Sequence, residues 1–256
     1  INVRDNLKIA NNTHIITILH KDQDGKDEKI GTTRTGNGPA YRDKYNRTGV
    51  RACDIPSLSE FLVDIYEELS GDSVILMEGA QGFWLDPDWG DYPYVTSSHT
   101  GTAAAIQNGI NPRSIRNVWG VIKAYETYVG KRSFQPKKKI FERIQKAGQE
   151  FGATTGRVRQ CNWNNLKEIK QAIAMNGVNR LVVNKVDVLR EVGAWATTDR
   201  YFSKEVPFRD YLNEQLDRGL GIEKIYFSDN PVNIWEDSPC TSPPSWLSRE
   251  PYALLT

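Results

Sequence analysis

Five short, nearly continuous apolar runs stand out along the chain: His14 to Leu19, Val74 to Met77, Val118 to Ile122, Leu181 to Val183 and Ile225 to Phe227. A strand covered on both faces reads this way because neither set of its side chains meets water, so all five are predicted as buried strands. Amphipathic stretches separate them. Leu58, Phe61, Leu62, Ile65, Tyr66 and Leu69 recur at helical spacing, with Ser57 and Glu60 as a capping box and Gly71 as terminator, which predicts a helix over 57–70. A second helix is expected from Leu166 to Asn176, capped by Asn165 and ended by Gly177, and a third around Phe208, Tyr211, Leu212 and Leu216, closed by Gly219. Strands alternating with helices predict an α/β fold with a mostly parallel central sheet flanked by helices. Residues 1–237 read as one such domain, and the Pro- and Ser-rich stretch 238–256 as a loose tail.

Composition narrows the setting. The 33 Lys and Arg against 32 Asp and Glu leave a formal net charge of +1, so no overall field recruits nucleic acid or an anionic membrane. The run Lys137-Lys138-Lys139 reads as a solvated face, with a nucleic-acid patch as the minor alternative. Cys53, Cys161 and Cys240 are odd in number and in no metal-binding or disulfide spacing, which fits a reducing compartment. No apolar run approaches the roughly 20 residues that span a bilayer, and no leader-like segment opens the chain. A cytoplasmic location away from membranes is therefore expected. The chain begins with Ile1 rather than Met, so a portion upstream is expected as well.

Four clusters carry candidate chemistry. Asn184-Lys185-Val186-Asp187 follows a predicted strand. An Asp there can accept from the paired N–H donors of guanine while the Lys stem lies along the purine face. By itself the pattern fits a guanine site and a plain helix cap about equally. Gly31 to Gly38 offers three glycines, three threonines and Arg34, a composition that can wrap an oxyanion, although it lacks the Lys of a phosphate-binding G-x-x-x-x-G-K-[ST] loop and by itself reads more readily as a surface turn. Glu78-Gly79-Ala80-Gln81-Gly82 leads into Tyr92-Pro93-Tyr94-Val95-Thr96-Ser97-Ser98, where Gln81 supplies an uncharged donor and acceptor. In Phe151 to Arg159, Arg157 and Arg159 stand beside Thr154 and Thr155, a set able to clamp carboxylates or to form a solvated basic loop.

In this order the clusters resemble the motifs of the adenylosuccinate synthetase family: G-T-T-x-x-G-x-G-P-A-Y over Gly31 to Tyr41, E-G-A-Q-G over Glu78 to Gly82, Y-P-Y-V-T-S-S over Tyr92 to Ser98, K-A-Y over Lys123 to Tyr125, F-G-A-T-T-G-R over Phe151 to Arg157, and [TN]-K-x-D over Asn184 to Asp187. The resemblance implies a P-loop-NTPase-like fold lacking its N-terminal part. It also implies an enzyme that joins L-aspartate to C6 of IMP with GTP and Mg2+, through a 6-phosphoryl intermediate, in purine (AMP) biosynthesis. Carried over by motif, Thr33 and Thr96 bind the 5′-phosphate, and Arg47 reaches that phosphate across a homodimer interface. Gln81 holds the 6-oxygen. Thr154, Thr155 and Arg157 grip aspartate, Arg159 lies between aspartate and GTP, and Lys185, Asp187 and Ser228 contact GTP. The family's phosphate loop, with its catalytic Asp and metal ligands, and a catalytic His have no counterpart here. Both are expected upstream, so the residues at hand are expected to form an inactive fragment with no metal ligand of their own. His14, His20 and His99 are expected in structural or solvated roles. Tyr128 replaces a family Arg, and some viral relatives use dGMP, so the acceptor purine stays open, as does a non-catalytic guanine-nucleotide-binding remnant.

Overall fold

A computed structural model describes residues 6–26, 29–71, 74–152, 156–217 and 219–236. The strands are β1 (Ile9–Ala10), β2 (Leu62–Val63), β3 (Trp119–Lys123), β4 (Glu126–Tyr128), β5 (Gln160–Asn162), β6 (Arg180–Asn184), β7 (Trp195–Ala196), β8 (Tyr201–Phe202), β9 (Lys224–Phe227) and β10 (Trp235–Glu236). The α-helices are α1 (Ile18–Asp24), α2 (Asn37–Asn46), α3 (Ile65–Glu68), α4 (Ala103–Gln107), α5 (Lys139–Ala147), α6 (Leu166–Asn176), α7 (Val186–Val192) and α8 (Glu205–Asp217).

The main sheet has the order β10-β9-β6-β3. Two pairings place β3, β6 and β9 parallel, and the third sets β10 antiparallel at the edge. Three predicted runs therefore become strands of one sheet, with Val121 opposite Val182 and Val182 opposite Tyr226. Leu181, Val183, Ile225 and Phe227 face the core and are at most 2% exposed. Phe208, Leu212 and Leu216, four residues apart on α8, are fully buried against the same core. Each such side chain contributes about 1.5–3 kcal/mol by leaving water. The predicted helix α6 forms as expected: the Asn165 side chain accepts from Lys167 N–H, and Gly177 ends it with φ 65°.

Three expectations fail. The predicted helix over 57–70 breaks into a 3-10 turn at Pro56–Phe61, strand β2 and the short helix α3. Leu62 and Val63 are extended because they pair in parallel with Ile9 and Ala10, and the Asp64 side chain then caps α3 at Tyr66 N–H. The predicted strand His14 to Leu19 holds only a bridge from His14 to Arg51 before α1 begins. Thr17 caps that helix and His20, expected after a strand, closes the capping box inside it. Ile18 and Leu19 stay 70% and 65% exposed, so the run never needed a sheet to cover it. Val74 to Met77 forms no strand, since its backbone finds no neighbouring edge among the described residues. The tail proposed at 238–256 lies outside the described residues.

Candidate functional site

The Gly31–Gly36 segment is built on one buried carboxylate. Asp24, 6% exposed at the end of α1, accepts the Gly36 N–H at 2.9 Å through Oδ2, and its backbone carbonyl accepts the Thr32 hydroxyl at 3.3 Å. Gly36, at φ 88°, then starts α2. First-turn amides of a helix have no acceptor within it, and the helix dipole is positive at that end, so Asn37 and Gly38 present an anion-binding terminus. The Tyr92–Ser98 segment closes over it. Asn37 Nδ2 donates to Thr96 Oγ1 at 3.4 Å, and Thr96 N–H donates to Leu85 O at 2.7 Å.

A cavity of about 480 Å³ opens at this point and brings together Thr33, Gln81, Thr96 and Arg157 from four separate segments. Arg157 reaches it by donating from Nη1 to Gly31 O at 2.6 Å. Gln81 sits in the left-handed region at φ 67° and accepts from the Ser98 hydroxyl at 3.4 Å. Thr154 and Thr155 lie outside the described residues. Arg47 is not among the cavity's lining; it is exposed at the end of α2, with φ 65°.

A second cavity, about 550 Å³, shares Gln81, Leu85, Tyr128 and Val129 with the first and carries Arg159 and Lys123 in its wall. Arg157 lines the first cavity and Arg159 the second, although positions two apart on a regular strand would share a face. Tyr128, where the family motif has Arg, is 7% exposed and supports the Arg132 guanidinium 4.7 Å above its ring. A cation thus stands over position 128, delivered from residue 132 and held by Asp91 at 2.6 Å.

The Asn184–Asp187 motif lies at the carboxyl end of β6, where α/β sheets bind ligands. Lys185, with φ 63°, precedes α7 and its Nζ donates to Gly148 O at 3.2 Å. Asp187 occupies the first turn of α7 with an exposed carboxylate that has no hydrogen-bond partner among the described residues. Ser228 adjoins the motif through Val186 N–H to Ser228 O at 3.2 Å, but its hydroxyl turns to the carbonyls of Asn230 and Asn233, at 2.6 and 2.9 Å.

His20 is 6% exposed between Thr17 and Asp43, bracing α1 to α2. Asp86, Asp88 and His99 place ligand atoms within 4.8 Å of one another. Asp86 already accepts the N–H groups of Asp88 and Thr100, both at 2.9 Å, so the cluster is accounted for as a brace of the loop that carries Thr96. Burial pushes the Cys161 thiol up to about 12, which leaves it inert. Sequence reasoning missed Asp24 and Glu150, because a single carboxylate with no motif around it has no legible spacing. Among the described residues no helix is long and apolar enough to cross a membrane.

Comparison with known proteins bears on most of the chain. The family model described as adenylosuccinate synthetase matches residues 1–70 and 57–226. The adenylosuccinate synthetase of Carboxydothermus hydrogenoformans is 38% identical over 241 residues, covering 72% of this chain and 56% of that protein. The enzyme of Caldicellulosiruptor bescii is 35% identical over 241 residues, with 72% and 57% covered. That of Clostridium beijerinckii is 34% identical over 292 aligned residues, with 91% and 67% covered. The chain thus spans little more than half the length of the first two. Among solved structures, fully ligated adenylosuccinate synthetase from Plasmodium falciparum superimposes with a TM-score of 0.71 at 25% identity, over 78% of this chain and 62% of that one. The succinoaminodeoxyadenylate synthetase of cyanophage S-2L, bound to dGMP and dATP, gives 0.70 at 22% identity, over 90% and 68%, a likeness of fold. With the motifs, the sheet and the family match in agreement, this chain belongs to the adenylosuccinate synthetase family.

Proposed function

We propose that the protein ligates L-aspartate to C6 of IMP at the expense of GTP, releasing adenylosuccinate, GDP and phosphate. The supporting observation is the convergence of Thr33, Thr96, Gln81 and Arg157 on one 480 Å³ cavity, with Gln81 shared by the neighbouring cavity that holds Arg159. In this reading the α2 terminus, Thr33 and Thr96 take the 5′-phosphate of IMP, and the Gln81 amide holds the 6-oxygen as it accepts the phosphoryl group. Arg157, with Thr154 and Thr155, grips aspartate so that its amino group faces C6. Positioning and fixed charge then carry most of the barrier reduction, as in other phosphoryl transfers. Asp187 fits guanine because both carboxylate oxygens are open to the N1–H and N2–H donors, and the Lys185 stem can lie along the base. Ser228 supports the motif through its carbonyl. Mg2+, when bound, would neutralise charge on the transferred phosphoryl group. Arg47, exposed at the end of α2, is read as reaching the phosphate site of a second copy in a homodimer.

Phosphate release from GTP by the full-length natural protein tests the reading. It should require IMP and aspartate together, with the ultraviolet difference spectrum of a succinylated purine. Turnover with dGMP in place of IMP would assign the other acceptor, and GTP binding without aspartate-dependent release would overturn ligation. Mixing Arg47→Leu and Arg157→Leu proteins should restore activity in mixed dimers; no recovery removes the shared site.

A further inference from the structure

Glu150 is a carboxylate buried to 2% exposure where four segments meet. Both of its oxygens accept from Lys123 Nζ at 2.8 Å, and Oε1 also accepts the Tyr125 hydroxyl at 2.6 Å. Arg159 Nη1 lies 3.6 Å from Oε2, and the Arg159 backbone N–H donates to Glu150 O at 2.9 Å. Two cations therefore share one buried anion, and both line the 550 Å³ cavity beside Gln81. The network continues along the same carboxyl end of the sheet, where Lys123 lies opposite Asn184. Lys185 donates to Gly148 O, and Gly148 is pressed so closely on the Tyr125 hydroxyl that a side chain there has no room. The Ala124 N–H donates to Asn184 O at 2.8 Å, joining the K-A-Y segment to the guanine motif.

A buried carboxylate without partners costs several kcal/mol, so Glu150 is stable only with cations around it. Lys123 has the closer geometry and satisfies most of that demand. Arg159, 33% exposed at its side chain, lines the cavity and is held there by the Glu150 charge at one edge, while its buried Nε has no hydrogen-bond partner among the described residues. We infer that Glu150 is a positioning residue that sets the direction of Arg159 in the cavity, with Lys123 balancing its charge and Tyr125 fixing its rotamer. This rests on the proposed function insofar as Arg159 is taken to face aspartate and GTP.

Glu150→Gln keeps the shape but turns an amide donor toward donors. The expected result is a rise of about tenfold or more in KM for both GTP and aspartate, with KM for IMP within about twofold and the preference for guanine unchanged. A double-mutant cycle with Arg159→Lys should be strongly non-additive, because the second change removes what the first has already displaced. Should Glu150→Gln fail to fold, Lys123→Met/Glu150→Gln replaces the buried ion pair by a neutral one, and the same KM changes are expected. Unchanged KM values in the folded variants, or additive effects in the cycle, would overturn the inference. A second readout needs no turnover. The guanidinium nitrogen NMR signals of Arg159, assigned by Arg159→Lys, should show faster side-chain rotation in Glu150→Gln. Identical rotation overturns the positioning role, whereas wild-type protein lacking aspartate-dependent phosphate release overturns the functional reading and leaves this test standing.

Discussion

Arg157 donates a 2.6 Å hydrogen bond to the carbonyl oxygen of Gly31, 126 residues earlier in the chain. The segment expected to bind aspartate is thereby tied to the segment expected to bind phosphate, so the two subsites share one arginine.

Arg157→Leu should therefore damage two substrates at once. A lost charge-assisted hydrogen bond is worth about 1.5–3 kcal/mol, roughly a 10- to 100-fold rise in KM for aspartate, with a smaller rise for IMP as the Gly31 segment loosens. KM for GTP should stay within about twofold. Initial-rate kinetics with each substrate varied checks this, and a defect confined to GTP would contradict it.

Asp187 offers its exposed carboxylate with no competing hydrogen-bond partner among the described residues. Asp187→Asn presents one donor in place of an acceptor, which mismatches guanine and suits the C2 carbonyl of xanthine. GTP use should fall by about 10- to 100-fold while XTP becomes the better donor. Competition assays between the two nucleotides decide it; an unchanged preference removes Asp187 from the base site.

At Gly36, φ is 88° and an added Cβ would meet Ile16 Cγ2 at 2.8 Å, with the His20 carbonyl carbon and Lys21 N at 3.0 Å. Gly36→Ala combines left-handed strain with overpacking between α1 and α2, and should cost about 2–4 kcal/mol. Because the Gly36 N–H is held by Asp24, KM for IMP should rise as well. Urea denaturation with an unchanged m-value, alongside IMP kinetics, reads both effects, and a stability loss below about 0.5 kcal/mol would contradict the packing.

Burial pushes the Glu126 carboxyl up to about 7, with the Glu168 charge adding to the rise and Arg132 opposing it. The folded protein binds more protons than the unfolded chain between the ordinary carboxylate value and about 7, so stability falls as pH rises through that window. Glu126→Gln should remove this fall and make the protein more stable at pH 8, on the order of 1–3 kcal/mol. Melting curves from pH 5 to 8 for both proteins test it; parallel curves would show that Glu126 ionises freely in the fold.

Much of this molecule is determined by short stretches of sequence. The continuous apolar runs that became β3, β6 and β9 could be buried only in a covered sheet, and Asn165 and Gly177 bound α6 by cap geometry that depends on a few neighbours. The ordered motifs carried the family for the same reason, since each is a local constellation of small and polar residues. Other features depended on partners far away in the chain. Residues 57–70 have helical spacing, yet the distant pair Ile9–Ala10 drew Leu62–Val63 into a strand, because backbone pairing and local helix formation compete for the same N–H groups. No local pattern reveals that Asp24 holds Gly36 or that Arg157 meets Gly31, and nothing around Glu150 indicates its two cations. Those contacts join segments 12 to 126 residues apart, and only the packed core brings such carboxylates and cations close enough to act on one another.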